Sequence, residues 1–495
     1  MNHKPLISIV IPTRDRHETL EYTIQTILQQ KFDNYEIIVS DNNSSKETRN
    51  IINNINLEKI RYVRSNIDLT LCESWEQAVS NAQGEYVMGI SDNDGLIDGS
   101  LEFIAKLLEV NNNPLVINFV KNNYHWPELE ITGNMMILHS IKEFEQLEQI
   151  DGISLIQEVL TNTKQFYRLP MIYNSIVNRK LIEQMISFNG KIFNALSSPD
   201  VYSGFMIAYF SKFYLKLNIP VTIAGNSAKS IGVNCLRNHK SEVLNREIIA
   251  RKKSSIKLHH LIPQGNIMSH TSSIYDAYFQ FQDLTQTNNF IIDMKLVYKQ
   301  IVDDLLVFTQ EDLDKSLEQI YLACSKNKTI LDFIYSYINI HPIKIKKVDL
   351  VRPKNNLYTN SLILDGKKFN CDNILDVSKF MANFYDYSSP EIYLDKLKND
   401  FSNLHLNCKI AIWGNGEYGR MLQKELIQKR TDIDITFFID SFSESILTEP
   451  ITITPNNIPM DLDYIVIASS FIDEISKIIF NLQLPKNITI IKFII

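Results

Sequence analysis

The chain has 495 residues, 44% of them hydrophobic and 22% charged, the proportions of an ordinary folded protein and not of a disordered or fibrous one. One hydrophobic core stops growing well below this length, so two or three domains are expected, without a disulfide or metal staple. A net charge of -7 excludes a general nucleic-acid binder, because affinity for a phosphate backbone needs a cationic surface.

Cys72, Cys235, Cys324, Cys371 and Cys408 lie far apart and read as reduced core thiols of a cytosolic protein. Residues Met1 to Pro5 precede the first strand without a signal-like apolar segment, and no uninterrupted apolar run reaches the roughly eighteen residues of a membrane span. The expected location is cytoplasmic, soluble or peripheral at the inner face of the membrane.

From Leu6 the chain alternates apolar runs with amphipathic stretches. Leu-Ile-Ser-Ile-Val-Ile-Pro, Tyr-Glu-Ile-Ile-Val-Ser-Asp and Ile-Arg-Tyr-Val-Arg read as strands, with helices between them, which is a βαβαβ pattern. Leu20, Ile24, Ile27 and Leu28 share one helix face, and Trp75, Ala78, Val79 and Ala82 another. The strands are too apolar to face solvent, as in a parallel sheet covered by helices. A fourth strand, Glu85 to Ile90, runs into Ser-Asp-Asn-Asp-Gly, followed by a helix carrying Leu101, Ile104, Ala105 and Leu108.

Beyond Pro114 the mixed pattern continues, with Met171 to Val177 and Pro220 to Ala224 strand-like and Asp200 to Phe210 helical, so 1–235 is expected to be one α/β domain. Residues 236–345 read as a helical connector or subdomain, and 346–407 as an irregular linker with a hairpin-like piece around Gly366. A new α/β pattern fills 408–495: strands Lys409 to Trp413, Ile435 to Ile439, Tyr464 to Ala468 and Ile488 to Ile494, and a helix from Arg420 to Gln428.

Ligands of open α/β sheets bind beyond the carboxyl ends of the strands. That rule puts Thr13, Asp15, Asp41 and the Asp92/Asp94 pair along one edge. Two carboxylates two residues apart in an extended or turn segment face the same way, so Asp92 and Asp94 can address one divalent ion, Mn²⁺ or Mg²⁺, while Gly95 permits a reversal. Asp, Asn and Gly are also turn formers, which is the competing reading. A calcium loop is excluded, since Leu96, Ile97 and Phe103 stand where a ligand, a glycine and a closing glutamate are required.

Ile-Ser-Ile-Val-Ile-Pro-Thr-Arg-Asp-Arg, Glu-Ile-Ile-Val-Ser-Asp-Asn-Asn-Ser and Gly-Glu-Tyr-Val-Met-Gly-Ile-Ser-Asp-Asn-Asp, in that order, resemble family 2 glycosyltransferases of the GT-A fold. The resemblance covers about the first 110 residues and extends to about residue 235. It implies a nucleotide-sugar donor, with Thr13 and Asp41 at the nucleoside and Asp92 and Asp94 at the diphosphate and metal. It also implies an inverting displacement onto a glycan or lipid-linked glycan acceptor, as in bacterial surface polysaccharide (capsule or lipopolysaccharide) synthesis. The chain departs from the family pattern where Ser40-Asp41-Asn42-Asn43 replaces Asp-Asp-Gly-Ser, and it lacks the Gln-x-x-Arg-Trp motif of processive relatives.

An inverting transfer needs a carboxylate base. Asp200, in Ser197-Ser198-Pro199-Asp200 at the start of a predicted helix, is the candidate, with Asp151 as fallback; the same residues are also what a helix N-terminus selects. The cluster Arg251-Lys252-Lys253 with Lys257 suits anionic lipid or glycan, or a plain solvated helix face.

Gly414-x-Gly416-x-x-Gly419 follows a strand and opens a helix, and Asp440 ends the next strand, as in a small Rossmann-like domain with a possible second nucleotide site. Two other function classes compete with sugar transfer: an NAD-linked sugar-modifying oxidoreductase built on that glycine motif, and an inactive glycan-binding scaffold.

Overall fold

In the run Ile7–Thr13 (β1), Ile7, Ile9, Val10 and Ile11 are all fully buried, which places this strand between two covering layers. It pairs in parallel with β2 (Tyr35–Asn42) on one side and with β4 (Tyr86–Gly89) on the other, and β3 (Ile60–Ser65) extends β2. The crossovers are α1 (His17–Leu28), α2 (Lys46–Ile55) and α3 (Leu71–Ser80). Helix α3 starts at a capping box, Thr70 Oγ1 accepting the Glu73 N–H while Glu73 Oε2 accepts that of Thr70. Its Trp75 lies so close to Gly89 that a Cβ there would sit 2.4 Å from the indole ring, so only glycine lets this helix approach the sheet.

This computed structural model describes every residue except 1–3, 56, 130–131, 140–146, 197, 238–240, 266–268, 287–289, 291, 346–360, 386, 388–406, 415–416, 430–431, 441–450, 460, 468–481, 483–487 and 493–495.

Past β4 come β5 (Gly95–Leu96), α4 (Ser100–Val110), β6 (Val116–His125), β7 (Met135–His139), β8 (Leu147–Asp151), α5 (Gly152–Leu160), β9 (Ser175–Asn178), α6 (Arg179–Asn189), α7 (Pro199–Ser211) and β10 (Phe213–Asn226). Strand β9 pairs antiparallel with both β4 and β6, and β10 runs parallel to β6. The predicted strand from Met171 begins only at Ser175, because Met171 to Asn174 close a turn through Asn174 N–H to Met171 C=O at 3.1 Å.

Helices α8 (Ile231–Arg237), α9 (Glu242–Lys253), α10 (His270–Thr285), α11 (Met294–Asp303), α12 (Gln310–Cys324) and α13 (Lys328–Ile340) follow. They do not stand apart from the sheet. Phe205 of α7 packs on Tyr278 and Phe281 of α10 at 5.5 and 5.9 Å between ring centroids, and Tyr275 donates to the Leu160 carbonyl at 2.8 Å. One continuous hydrophobic cluster runs from Val10 through Phe205 to Ile334.

Within the stretch read from sequence as linker, Ser361–Asp365 forms β11, antiparallel to β7, in place of a hairpin. A 3-10 turn follows, anchored by Gly366 N–H to Asn134 C=O at 2.7 Å, and then α14 (Ile374–Ala382). Ser378 of α14 donates to the Leu96 carbonyl at 2.6 Å and accepts from Gln29 at 2.7 Å. A five-residue edge strand flanked by polar sequence carries too little periodicity to be seen in advance. The first compact unit accordingly runs to residue 390. Among the described residues its sheet follows the order β11-β7-β6-β9-β4-β1-β2-β3, with β5, β8 and β10 joined to it.

The second unit has its own sheet of β12 (Lys409–Trp413), β13 (Asp434–Ile439), β14 (Ile451–Ile453), β15 (Tyr464–Ile467) and β16 (Thr489–Lys492). All are parallel, in the order β14-β13-β12-β15-β16. Helix α15 (Glu417–Lys429) buries Leu422 and Leu426 with Ile410, Ile412 and Phe438 on one face of this sheet. No helix among the described residues is long and apolar enough to cross a membrane.

Candidate functional site

Thr13, Asp15, Asp92, Asp94 and Asp200 line one cavity of about 1110 Å³ at the carboxyl ends of β1 and β4. The loop after β1 reaches it through Asp15, held in the left-handed region at φ 53°. Asp15 N–H donates to Ser44 Oγ at 2.9 Å, and its carboxylate accepts the Ser45 N–H at 2.7 Å, so the loops after β1 and β2 are tied together. Thr13 is buried, and its hydroxyl has no hydrogen-bond partner among the described residues.

Asp41 differs from the other expected donor contacts. It is fully buried and does not line the cavity. Its carboxylate accepts from Ser44 N–H at 2.8 Å, from Arg64 at 2.7 Å and from the Tyr62 hydroxyl, bracing the loop after β2 against β3. Burial, and then the Asp41 carboxylate, push the Tyr62 hydroxyl up to about 12.

The Ser91–Gly95 turn is knotted to the end of β10. Asp94 Oδ1 accepts the Gly225 N–H at 2.8 Å and Oδ2 the Ser91 N–H at 2.9 Å. The Asn93 amide donates to the Gly225 carbonyl at 2.7 Å and to Ser230 Oγ at 2.9 Å, and its own carbonyl accepts from Trp126 Nε1 at 3.0 Å. Asp92 makes an ion pair with Arg16 at 2.7 Å. Burial raises the Asp94 carboxyl above the ordinary range, countered by the positive charge of Lys121 and by the two N–H donors.

Hard carboxylate oxygens of this kind suit a small divalent cation. Each carries one close hydrogen bond or none and keeps a further lone pair, so the donor set fits Mn²⁺ or Mg²⁺. Among the described residues no group of three or more His, Cys, Asp or Glu side chains is arranged to hold a metal alone. Any ion here therefore needs ligand oxygens or water to complete its shell.

Asp200 sits in the first turn of α7, one residue after Pro199; the cap residue, Ser198, makes no side-chain cap bond. Burial raises the Asp200 carboxyl, and the Val201 N–H, Lys121 and His270 work against that rise. Asp151, by contrast, caps α5 by accepting from Ile153 and Ser154 N–H at 2.9 and 3.0 Å and does not line the cavity.

No sequence motif marks the cavity's cations. Arg14, Arg16, Lys121, Lys229 and Arg246 all line the cavity. Arg14 meets Glu247 at 3.5 Å, Lys229 meets Glu18 at 3.0 Å, and Arg246 bridges Asp15 and Asp68, the latter at 2.6 Å. Arg246 and Glu247 belong to α9, within the stretch expected to be a connector, and no local motif marks them. The fully buried Glu247 also accepts the Leu71 N–H at 3.1 Å, which fastens α9 to the start of α3. Lys121 projects from mid-strand β6, its ammonium 3.5 Å from the centre of the Tyr173 ring. Burial lowers Lys121 to about 8 in spite of Asp94 and Asp200 nearby.

In the second unit Gly414 adopts φ 119° after β12 and donates its N–H to Ile439 C=O at 2.8 Å. A Cβ on Gly419 would lie 1.7 Å from the Gly414 carbonyl oxygen, so this glycine lets α15 close on the strand. Asp440 follows β13, and its N–H donates to Ile453 C=O at 3.0 Å. Gly416 lies outside the described residues.

Residues 8–159 match the family described as Glycosyl transferase family 2. WcaA of Escherichia coli (strain K12), named for colanic acid biosynthesis glycosyl transfer, is 34% identical over 96 residues, 19% of this chain and 34% of that protein. The GalNAc(5)-diNAcBac-PP-undecaprenol beta-1,3-glucosyltransferase of Campylobacter jejuni is 34% identical over 105 residues, 21% of this chain and 34% of that protein. The chain thus spans about a third of the length of these curated relatives. Among solved structures, S. aureus TarS 1-349 in complex with UDP-GlcNAc aligns at 13% identity with a TM-score of 0.37, covering 72% of this chain and 98% of that one.

Proposed function

We propose that the chain is a metal-dependent, inverting glycosyltransferase of the GT-A fold that moves a sugar from a nucleotide donor onto a glycan or lipid-linked glycan acceptor. The observation that carries this reading is the convergence of Thr13, Asp15, Asp92, Asp94 and Asp200, far apart in sequence, on one cavity inside and beyond the family 2 segment. The nucleoside lies toward Thr13 and Asp15, where a buried hydroxyl waits for a partner. Asp41 acts one step back, holding the Asn42–Ser45 loop that walls this end.

The diphosphate lies at the Asp92–Asp94 turn. A divalent cation held by these two carboxylates would offset the charge that develops on the leaving diphosphate. Arg16, at 2.7 Å from Asp92, is placed to donate to the same phosphates. Asp200 takes the proton of the acceptor hydroxyl as that oxygen bonds to the anomeric carbon and the bond from that carbon to the diphosphate oxygen breaks. Positioning by the cavity walls supplies much of the remaining rate.

The undecaprenol in the name of the Campylobacter relative, and the UDP-Glc and diphosphoundecaprenol in that of WfgD of Escherichia coli, 26% identical over 133 residues, make UDP-glucose and polyprenyl-diphosphate-linked sugars the first donor and acceptor to try. Thermal unfolding of the full chain with UDP-, GDP-, CMP- and dTDP-sugars, each with and without Mn²⁺, tests the reading. One nucleotide class raises the unfolding temperature, more so with Mn²⁺; no shift with any of them would sink it.

The second unit we read as a small Rossmann-like domain. Numbered within the unit, its parallel strands run 3-2-1-4-5, the order of dinucleotide-binding sheets, with the glycine turn after the first strand. The Gly419 contact with Gly414 supports a packing role for that motif.

A further inference from the structure

Every other cationic side chain lining the cavity except His270 already faces a carboxylate in an ion pair: Arg14 with Glu247, Arg16 with Asp92, Arg246 with Asp15 and Asp68, Lys229 with Glu18. Lys121 makes no such pair among the described residues. Its ammonium rests instead on the Tyr173 ring, 3.5 Å from the centroid, and Tyr173 and Asp200 line the same cavity. The ring face of Tyr173 thus holds the cation in the cavity that Asp200 lines. Lys121 lines the cavity together with Asp94 and Asp200, and the charges of both carboxylates act on it.

We propose that Lys121 is a positioning residue for the transfer, its ammonium clamped on Tyr173 so that Asp200 stays an ionised carboxylate, aimed into the cavity and able to accept a proton. The proposal rests on reading Asp200 as the base. Asp200 lies in the first turn of α7 and lines the same cavity as Lys121, Tyr173 and His270, partly withdrawn from water, where a lone carboxylate would otherwise take up a proton and lose its function. The groups that face it are Lys121 from β6, Tyr173 from that segment, His270 from the start of α10, Cys72 from α3 and the Val201 N–H of its own helix. Of these, Lys121 and His270 line the cavity with Asp200, and the neutral thiol and phenol cannot replace the Lys121 charge.

Infrared titration of the full chain tests this without a substrate, the Asp200 carboxyl band being assigned by difference from Asp200→Asn. In Lys121→Met the Asp200 titration moves to higher pH by about one to three units, and Lys121→Arg restores it. Lys121→Gln serves the same purpose should the methionine variant not fold. An Asp200 titration unchanged in these neutral variants would overturn the proposal. A parallel kinetic arm follows UDP release from UDP-glucose. There the acid limb of kcat moves in the same direction in Lys121→Met, with KM changed by less than about threefold. Asp200→Asn turning over at the wild-type rate would remove the base itself, a failure separate from an unmoved titration.

Discussion

The Asp94 carboxylate accepts the backbone N–H of Gly225 at 2.8 Å, across 131 residues of sequence. Through this bond the turn after β4 and the end of β10 form one rigid rim of the cavity. Gly225 has no room for a side chain: a Cβ would lie 1.7 Å from the Asn93 carbonyl oxygen and 2.9 Å from Trp126 Nε1. The first of these is backbone and cannot rotate away. Gly225→Ala should therefore destabilise the first unit by about 1–3 kcal/mol in urea unfolding and weaken nucleotide binding. A wild-type unfolding midpoint would mean the rim is more pliant than described.

Asp92 and Asp94 should fail differently when truncated. Asp92 contributes mainly its Arg16 ion pair and its cavity-facing oxygens, so Asp92→Ala should abolish metal-dependent turnover with little change in unfolding temperature. Asp94 holds two backbone N–H groups, at Ser91 and Gly225, and losing both acceptors costs about 1–3 kcal/mol for each donor left buried. Asp94→Ala should lose both activity and stability. Equal unfolding temperatures in the two variants would contradict this division of labour.

Metal should bind together with nucleotide. Two carboxylates, one of them already paired with Arg16, are too few to hold a divalent ion tightly without phosphate oxygens. Calorimetric titration of Mn²⁺ into the protein alone should give weak heats, and the same titration with UDP present should give a clear one-site isotherm. Tight binding of Mn²⁺ without nucleotide would point to ligands other than these.

Away from the cavity, Asp276 of α10 is fully buried, accepts the His259 N–H at 2.7 Å, and is pushed by burial to about 6 from an ordinary 3.8. Between those two values the folded chain holds a proton that the unfolded chain has released, so this residue makes stability fall as pH rises through the window. Relative to wild type, Asp276→Asn should thus gain up to about 3 kcal/mol between pH of about 4 and about 7, read from urea unfolding at each pH. A difference independent of pH would show that Asp276 does not titrate there.

The legible part of this protein was the part written in periodicity. β1 through β4 alternate with α1 to α3 as the apolar runs demand, and the rule that ligands gather at the carboxyl ends of strands brought Thr13, Asp15, Asp92 and Asp94 together in advance. Asp41 shows where that rule stops: it sits at the correct strand end, yet Tyr62 and Arg64 draw its carboxylate under the loop. Lys121 was not legible, because a lysine inside an apolar strand signals nothing until Tyr173, 52 positions later, is seen beneath it. Arg246 and Glu247 were hidden in a helix whose only visible feature was its basic end. β11 and α14 escaped for the same reason, their ties to β7 and α1 being tertiary and not local.

The proposed function requires that this cavity transfer sugar with Asp200 as its base. The measurement is consumption of nucleotide sugars by the full chain with Mn²⁺, in wild type and in Asp200→Asn, with nucleotide affinity followed in parallel. One donor class should be consumed by the wild type, and in Asp200→Asn that consumption should fall by about a hundredfold or more with nucleotide affinity unchanged. Consumption at the wild-type rate by Asp200→Asn, or of no donor by the wild type, would contradict it.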